Sequence, residues 1–578
     1  MDLSIEKIIN QKLCDTFTKL GLDTAYAAVK VSDRPDLSDF QCNGALALAK
    51  QEKKNPREIA ARIAGELEKD ADFAKISIDG PGFINLTLKD EAIAAVLDQI
   101  AADERFGIVK VETPKKVVMD FGGPNVAKAM HVGHLRAAVI GESIQRIERF
   151  LGNEVISDVH LGDWGTPMGM IIAEIIKQDG NLDKALNYNI DEITEFYKAA
   201  NLRCKEDENA KEDARQITAA LQDGNPEYRR VWQHLREASV SAIKKNYDDL
   251  DINFDLWLGE SDAHAASAEV VKLAEAKGLS ELDEGAHILR LEESNKPKPP
   301  VILIKSDGAY GYQITDIATI KDRVEKLKAE EIIYVVDKRQ SLHFEQVFEA
   351  VDKLGIAPNV KMVHIGFGTV NGSDGKPFKT RDGGVMTLEN LIAMSKDKVG
   401  ESMPSPADAP GYDQAYIDNL TAQIAVGAIK FQDLKNSIAS GYVFDLEDFA
   451  KFEGKTGPYI QYAIARINSI IRKAKDNDIA FGPIIISNPE ERILALKLLQ
   501  LNNTVYRAFT EYEPSIISDY AYTLAQIFSS FYNASPIISA ETPQLAASRL
   551  QLAKLVRDVL ALLLYLLGIE APEVMLKA

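Results

Sequence analysis

Cysteine is nearly absent from this 578-residue chain: three occur, Cys14, Cys42 and Cys204, far apart and in no CxxC pair. That argues against a disulfide framework and against a cysteine-based zinc module; few, scattered thiols suit a reducing compartment. Aromatic residues make up only 7% of the chain, and no apolar run reaches the ~18 residues of a membrane span. The opening residues, Met1-Asp-Leu-Ser-Ile-Glu-Lys7, are mixed in charge and lack the apolar stretch of a secretory leader. The expected location is the cytoplasm, with no membrane partner. Positive charge is the scarcer sign: 67 Lys and Arg stand against 87 Asp and Glu, a formal net charge of −20. As a sum this opposes a polyanionic partner, because phosphate binding is driven by Lys and Arg. The P-loop pattern GxxxxGK[ST] is missing too, which argues against P-loop chemistry.

Distribution qualifies the charge argument. Lys451, Lys455, Arg466, Arg472, Lys473 and Lys475 stand against one acid, Glu453, a local excess of +5, with Tyr459 and Tyr462 among them. Such a strip is either an RNA-binding patch or a solvated helix face, and charge alone leaves both open.

At 578 residues the chain should hold three or four domains of ~100–200 residues. Residues 1–110 show helical periodicity over Ser4–Leu20 and Pro56–Leu67 and strand-like runs at Lys75–Ile78 and Gly82–Leu88, which predicts a small α+β module. From 111 to 400 strands and helices alternate, the mark of a parallel sheet that binds ligands at its carboxyl edge. Its candidate strands are Lys116–Asp120, Glu154–Val159, Ile332–Val336 and Lys361–Ile365. Long polar helices with Trp232 and Trp257 interrupt it between about 170 and 300 and read as an insertion. Residues 401–578 read as a helical bundle, ending in an apolar helix over Leu545–Gly568.

The most informative stretch is Asp120-Phe-Gly-Gly-Pro-Asn-Val-Ala-Lys-Ala-Met-His-Val-Gly-His-Leu-Arg136. It follows the apolar run Val117–Met119 and leads into a helically spaced segment ending at Phe150. His131 and His134 therefore lie where a strand turns into a helix, at the carboxyl end of the sheet. Unpaired N–H groups and the partial positive charge of a helix start make such a turn a berth for phosphate. Gly133 lets a ligand approach the backbone closely. A metal reading of HxxH would need further ligands at workable spacing, which the three isolated cysteines do not supply; no metal is expected. An ATP site is.

Downstream, Gly366-Phe-Gly-Thr-Val-Asn-Gly372 nearly matches a dinucleotide fingerprint, but its last glycine is one residue late and no helix follows. Instead comes a turn-rich basic loop, Ser373-Asp-Gly-Lys-Pro-Phe-Lys-Thr-Arg-Asp-Gly-Gly384. A loop of this kind suits transient binding of a polyphosphate, because flexible cations can close on charge that develops late.

HVGH preceded by GGPN-VAKAM resembles the HIGH motif of class I aminoacyl-tRNA synthetases, in the form found in arginyl-tRNA synthetases. The resemblance runs across essentially the whole chain. It implies a Rossmann-like catalytic core with an insertion, an N-terminal α+β domain that touches the corner of tRNA, and a helical anticodon-binding domain. Asp39–Lys50, Lys54–Ala60 and Gly80–Asn85 resemble the family's N-terminal domain. Phe452-Glu-Gly-Lys-Thr-Gly-Pro-Tyr-Ile-Gln-Tyr462 with Arg466 resembles the start of its anticodon domain, and Tyr459 and Arg466 are the implied tRNA contacts. The DALR tetrapeptide is not present literally; Ser548-Arg-Leu550 stands near its place.

By the same resemblance His131 and His134 stabilise the ATP phosphates, and Gly133 lies under the adenosine. The 373–384 loop takes the place of the KMSKS loop, with Thr380 where the second lysine would fall. Lys379, Arg381 or Lys128 must then replace that charge, and Lys128, just before the phosphate-binding helix, is the favoured substitute. Selecting a guanidinium requires acids within bidentate reach, since that planar fork is always charged. Tyr312 and Asp316, four apart and on one helix face, with Glu260 from the insertion, match the family's guanidinium-binding set. Asp120 and Asn125 match the residues that hold the α-amino and α-carboxylate ends. Asp337, Gln340 and His343 open a helix after a strand, a position suited to ribose or adenine. His160 and Gly162-Asp-Trp-Gly165 match a stretch that lines the family's pocket. The expected activity is ATP-dependent ligation of L-arginine to tRNA(Arg) through an arginyl-adenylate, with ATP entering as its Mg²⁺ complex. No tightly bound cofactor is expected, and the chain is expected to act as a monomer.

Overall fold

The computed structural model describes residues 3–291, 298–306, 308–372, 386–445 and 451–576. The site is organised by a four-stranded, wholly parallel sheet. Its strands are β1 (Lys116–Phe121), β2 (Glu154–Asp158), β3 (Glu331–Asp337) and β4 (Lys361–Phe367), in spatial order β4-β3-β1-β2. Met119 pairs with Ser157 on one side and Ile333 on the other, and Ile333 in turn with Val363. The near-continuous apolar runs of β1 and β3 suit strands covered on both faces.

Alternation divides those side chains between two cores. Val117, Met119, Phe121, Ile333 and Val335 face helix α1 (Val132–Phe150), which joins β1 to β2. Val118, Ile332 and Tyr334 face the opposite core, with α2 (Tyr312–Glu325) and α3 (Ser341–Leu354), the latter joining β3 to β4. The two crossovers run in opposite directions from the centre of the sheet. The topological switch point thus lies between β1 and β3, where open α/β sheets bind ligands.

Helix α1 is buried all round because it is packed on two sides. Beyond the sheet it meets helices Gln414–Leu434, Leu501–Glu511 and Pro543–Leu566 of the C-terminal bundle. Its polar residues are accordingly buried and paired: Ser143 Oγ donates to Leu566 O at 2.8 Å, and Arg146 Nε to Glu142 at 2.5 Å. Gly141 is required where α1 crosses β1, since a Cβ there would lie 2.2 Å from the Phe121 ring.

The N-terminal module is a four-stranded antiparallel sheet, ordered Val29–Val31, Phe40–Cys42, Phe83–Leu88, Phe73–Asp79, with helices Ile5–Lys19, Gly44–Glu52, Pro56–Leu67 and Asp90–Ala102 around it. It is pinned to the C-terminal bundle by Arg492, which grips Asp39 with two nitrogens at 2.8 and 2.9 Å and reaches Asp90 at 2.8 Å. The insertion is helical, as expected, up to Ala276. It then forms an unforeseen antiparallel sheet of Glu281–Asp283, Ala286–Leu289 and Val301–Ile304. Strands this short carry too little periodicity to be read from sequence. Among the described residues the C-terminal region adds one short strand, Tyr442–Val443, paired in parallel with Val370–Asn371. Its last helix runs Pro543–Leu566, and Gly568 follows at φ +69°. No helix among the described residues is long and apolar enough to cross a membrane.

Candidate active site

A cavity of about 590 Å³ opens at the carboxyl edge of the sheet over the switch point. The turn after β1 supplies one wall. His131 is the N-cap of α1, and its Nδ1 accepts the Gly133 N–H at 3.0 Å. The Nδ1 of His134 accepts the N–H of His131 at 3.1 Å, so the two rings close a reciprocal capping box, 4.0 Å apart between centroids. Because each Nδ1 accepts, each neutral ring carries its proton on Nε2 and offers that nitrogen as a donor. Burial, then the neighbouring His131, pushes the pKa of His134 down to about 3; burial and the Lys128 charge lower that of His131. Both are neutral donors at working pH. Gly133 is needed here because a Cβ would stand 2.7 Å from the His131 ring: the imidazole folds over it.

Facing the histidines, β1 and β2 present carboxylates held by one buried guanidinium. Arg323 Nη2 donates to Asp120 at 2.6 Å and to Asp158 at 2.9 Å. Burial raises the Asp120 pKa against the pull of Arg323, whereas Asp158, bonded also by His160, is held below its usual range. His160 adopts a left-handed backbone, φ +39°, with its ring nitrogen 3.2 Å from Asp158, and burial notwithstanding its pKa is raised by that contact. Asp120, Asp158 and His160 bring potential ligand atoms within 4.8 Å of one another. Arg323 occupies the place a cation would take there. Arg323→Met should therefore destabilise the fold by about 3–5 kcal/mol by leaving buried carboxylates unpaired; a denaturation midpoint equal to that of the parent chain would contradict this.

The far wall holds Tyr312 and Asp316, on the first two turns of α2, and Glu260 from the insertion, all lining the cavity. Burial raises the Glu260 pKa, His160 pulls it back, and Asp316 adds to the rise, so the two acids lie in one field. An entering guanidinium would relieve both. Asn125, bridged to Gly162, and Asp337, which accepts Arg339 N at 2.8 Å, also line the space.

The structure thus brings His131, Gly133, His134, Asp120, Asn125, Glu260, Tyr312, Asp316 and Asp337 to one cavity. Others stand apart. Lys128 lies beside it, its Nζ 4.7 Å from the Tyr197 ring centroid, near enough for its charge to depress both histidines. Gln340 is exposed and outside the lining. His343 does not line the cavity either; its Nε2 is 2.7 Å from Asp316, which does. Lys379 and Arg381, with Thr380, lie outside the described residues. Tyr459 packs edge-on against Tyr522 at 5.5 Å, and Arg466 sits 4.6 Å over the Tyr532 ring, both far along the C-terminal bundle.

Sequence reasoning missed two arginines. Arg323 continues the stripe Tyr312, Asp316, Thr319 along one face of α2, a helical spacing that could have exposed it. Arg136, two residues beyond His134, is 1% exposed and binds Asp433, Gly368 O at 2.9 Å and Ser440 O at 2.7 Å. No local signal marks that pairing.

Comparison with known proteins agrees over the whole chain. Residues 96–446 match a family model described as class I (R) tRNA synthetases, catalytic domain; residues 460–575 match the DALR anticodon binding domain, and residues 3–88 the arginyl tRNA synthetase N terminal domain. Proteins named arginine–tRNA ligase from Alkaliphilus oremlandii and Hyphomonas neptunium are each 43% identical, covering 100% and 99% of both chains respectively. The crystal structure of arginyl-tRNA synthetase from Plasmodium falciparum superposes with a TM-score of 0.79 at 27% identity, covering 99% of each chain. That of Thermus thermophilus shares the fold, TM-score 0.80 at 24% identity, over 99% of this chain and 100% of its own. The chain belongs to the arginyl-tRNA synthetase family of class I aminoacyl-tRNA synthetases.

Proposed function

We propose a division of labour within the cavity for the family's reaction, the ATP-dependent charging of tRNA with arginine. The observation that carries it is the meeting of two neutral Nε2 donors, from His131 and His134, with the Asp316 and Glu260 carboxylates in one space. The arginine guanidinium is held by Asp316, Glu260 and Tyr312; its α-amino and α-carboxylate ends lie at Asp120 and Asn125. The carboxylate attacks the α-phosphate of Mg²⁺-bound ATP, and pyrophosphate leaves. His131 and His134 donate to the phosphates as charge develops, which needs fixed donors rather than covalent catalysis. Adenosine rests at Gly133 and α1, with Asp337 and Gln340 toward the ribose. The 2′-hydroxyl of the terminal tRNA ribose then takes the arginyl group and releases AMP.

Lys128 supplies the cation that the degenerate 373–384 loop lacks, with Lys379 and Arg381 in a lesser role. Its position beside the histidine turn supports this. Lys128→Ala should slow adenylate formation by about 10²-fold, the cost of removing one transition-state contact. The reverse pattern in pre-steady-state assays, near-normal rates for Lys128→Ala and a large loss for Lys379→Ala with Arg381→Ala, would reassign the charge to the loop.

The modules follow the same reading. Residues 1–110 touch the tRNA corner, 111–400 perform the chemistry with an insertion at about 170–300, and 401–578 read the anticodon end of tRNA(Arg), with Tyr459 and Arg466 on the RNA side. The protein acts as a monomer in the cytoplasm, where tRNA is charged. A guanidinium is discriminated directly by paired acids, so no editing site is called for.

A further inference from the structure

We infer that His343 is a positioning residue for guanidinium recognition, one that stiffens the Asp316 carboxylate. This rests on the proposed assignment of Asp316 and Tyr312 to the arginine side chain and deepens it. His343 lies in the first turn of α3, and its side chain is 11% exposed. Its Nε2 is 2.7 Å from Asp316 Oδ2, and its ring is stacked on Tyr312 with centroids 5.1 Å apart and planes 17° from parallel. Phe344 meets the same ring edge-on at 5.2 Å. One imidazole thus touches two of the residues, Tyr312 and Asp316, that α2 presents to the cavity from its first two turns.

The two ring nitrogens differ in their surroundings. Nδ1 is buried and meets no hydrogen-bond partner among the described residues, while Nε2 faces a carboxylate. With a proton on Nε2 the ring donates to that carboxylate. It holds one oxygen of Asp316 in place for the incoming substrate. A lysine or arginine at this position would act as a resident cation and compete with the guanidinium. The stack does the equivalent for Tyr312, which is otherwise 61% exposed and free to turn.

The test is steady-state arginine activation by the full chain with tRNA present, varying arginine and ATP separately. His343→Phe keeps the aromatic stack but removes the donor, and should raise KM for arginine about tenfold, the size expected for a hydrogen bond to a charged group. His343→Gln restores a neutral donor and should stay within about threefold of the parent chain by the same scale. KM for ATP should be unchanged in both. An equal rise in the two KM values, or no rise in His343→Phe, overturns the inference. Asp316→Asn separates the levels: if it leaves the arginine KM unchanged, the pocket assignment itself has failed. If it raises that KM while His343→Phe does not, only the role of His343 has failed.

Discussion

His134→Ala is expected to slow arginine activation by about two orders of magnitude or more, the loss seen when one preorganised transition-state donor is removed. The argument rests on how tightly the ring is set. Its Nδ1 is committed to the His131 N–H at 3.1 Å, and burial keeps the imidazole neutral, with a pKa pushed down to about 3. Nε2–H therefore waits in the cavity as a donor that neither rotates away nor titrates. Two corollaries follow. The pH profile of activation between about 6 and 8 should carry no inflection from this group, because its proton equilibrium lies far below that window. KM for ATP should change much less than kcat, since the contact strengthens as charge moves onto the leaving phosphates. Pyrophosphate exchange at near-parent rates in His134→Ala would remove the histidine pair from the mechanism.

Asp316→Asn carries the second large effect. The substitution keeps the shape and still accepts from His343, but removes the charge that we propose meets the guanidinium. Loss of a charge-assisted, desolvated pair is worth about 2–5 kcal/mol, so kcat/KM for arginine should fall by roughly 10²-fold or more. KM for ATP should remain within about twofold, because the residue stands on α2 across the cavity from the histidine turn. Glu260 should show the same signature in weaker form if the two acids share the fork. Equal losses for arginine and ATP would mean that Asp316 shapes the cavity as a whole.

Much of this is legible in the sequence. The four core strands are legible in the sequence to within two residues, because parallel strands covered on both faces write apolar runs. The histidine turn was legible for a related reason: strand, Gly-Pro turn and helix start follow one another within a few residues. What escaped depended on distance or on direction. Arg136 and Asp433 are 297 positions apart, and no period connects them. Arg323 lay in plain spacing from Asp316 but on a helix read only for its first two turns. The sequence places His343 at a helix start after β3 but does not tell which neighbour it meets; in the structure its ring stacks on Tyr312. The strands Glu281–Asp283, Ala286–Leu289 and Val301–Ile304 are not legible, because each is only three or four residues long.

Amino-acid-dependent ATP–pyrophosphate exchange, run over all twenty amino acids with and without bulk tRNA, tests the central claim most directly. Exchange with arginine alone, fastest when tRNA is present, is the predicted result. Exchange with a different amino acid would keep the fold and the histidine turn but contradict the Tyr312, Asp316 and Glu260 pocket, and no exchange under any condition would contradict the catalytic reading of the cavity itself.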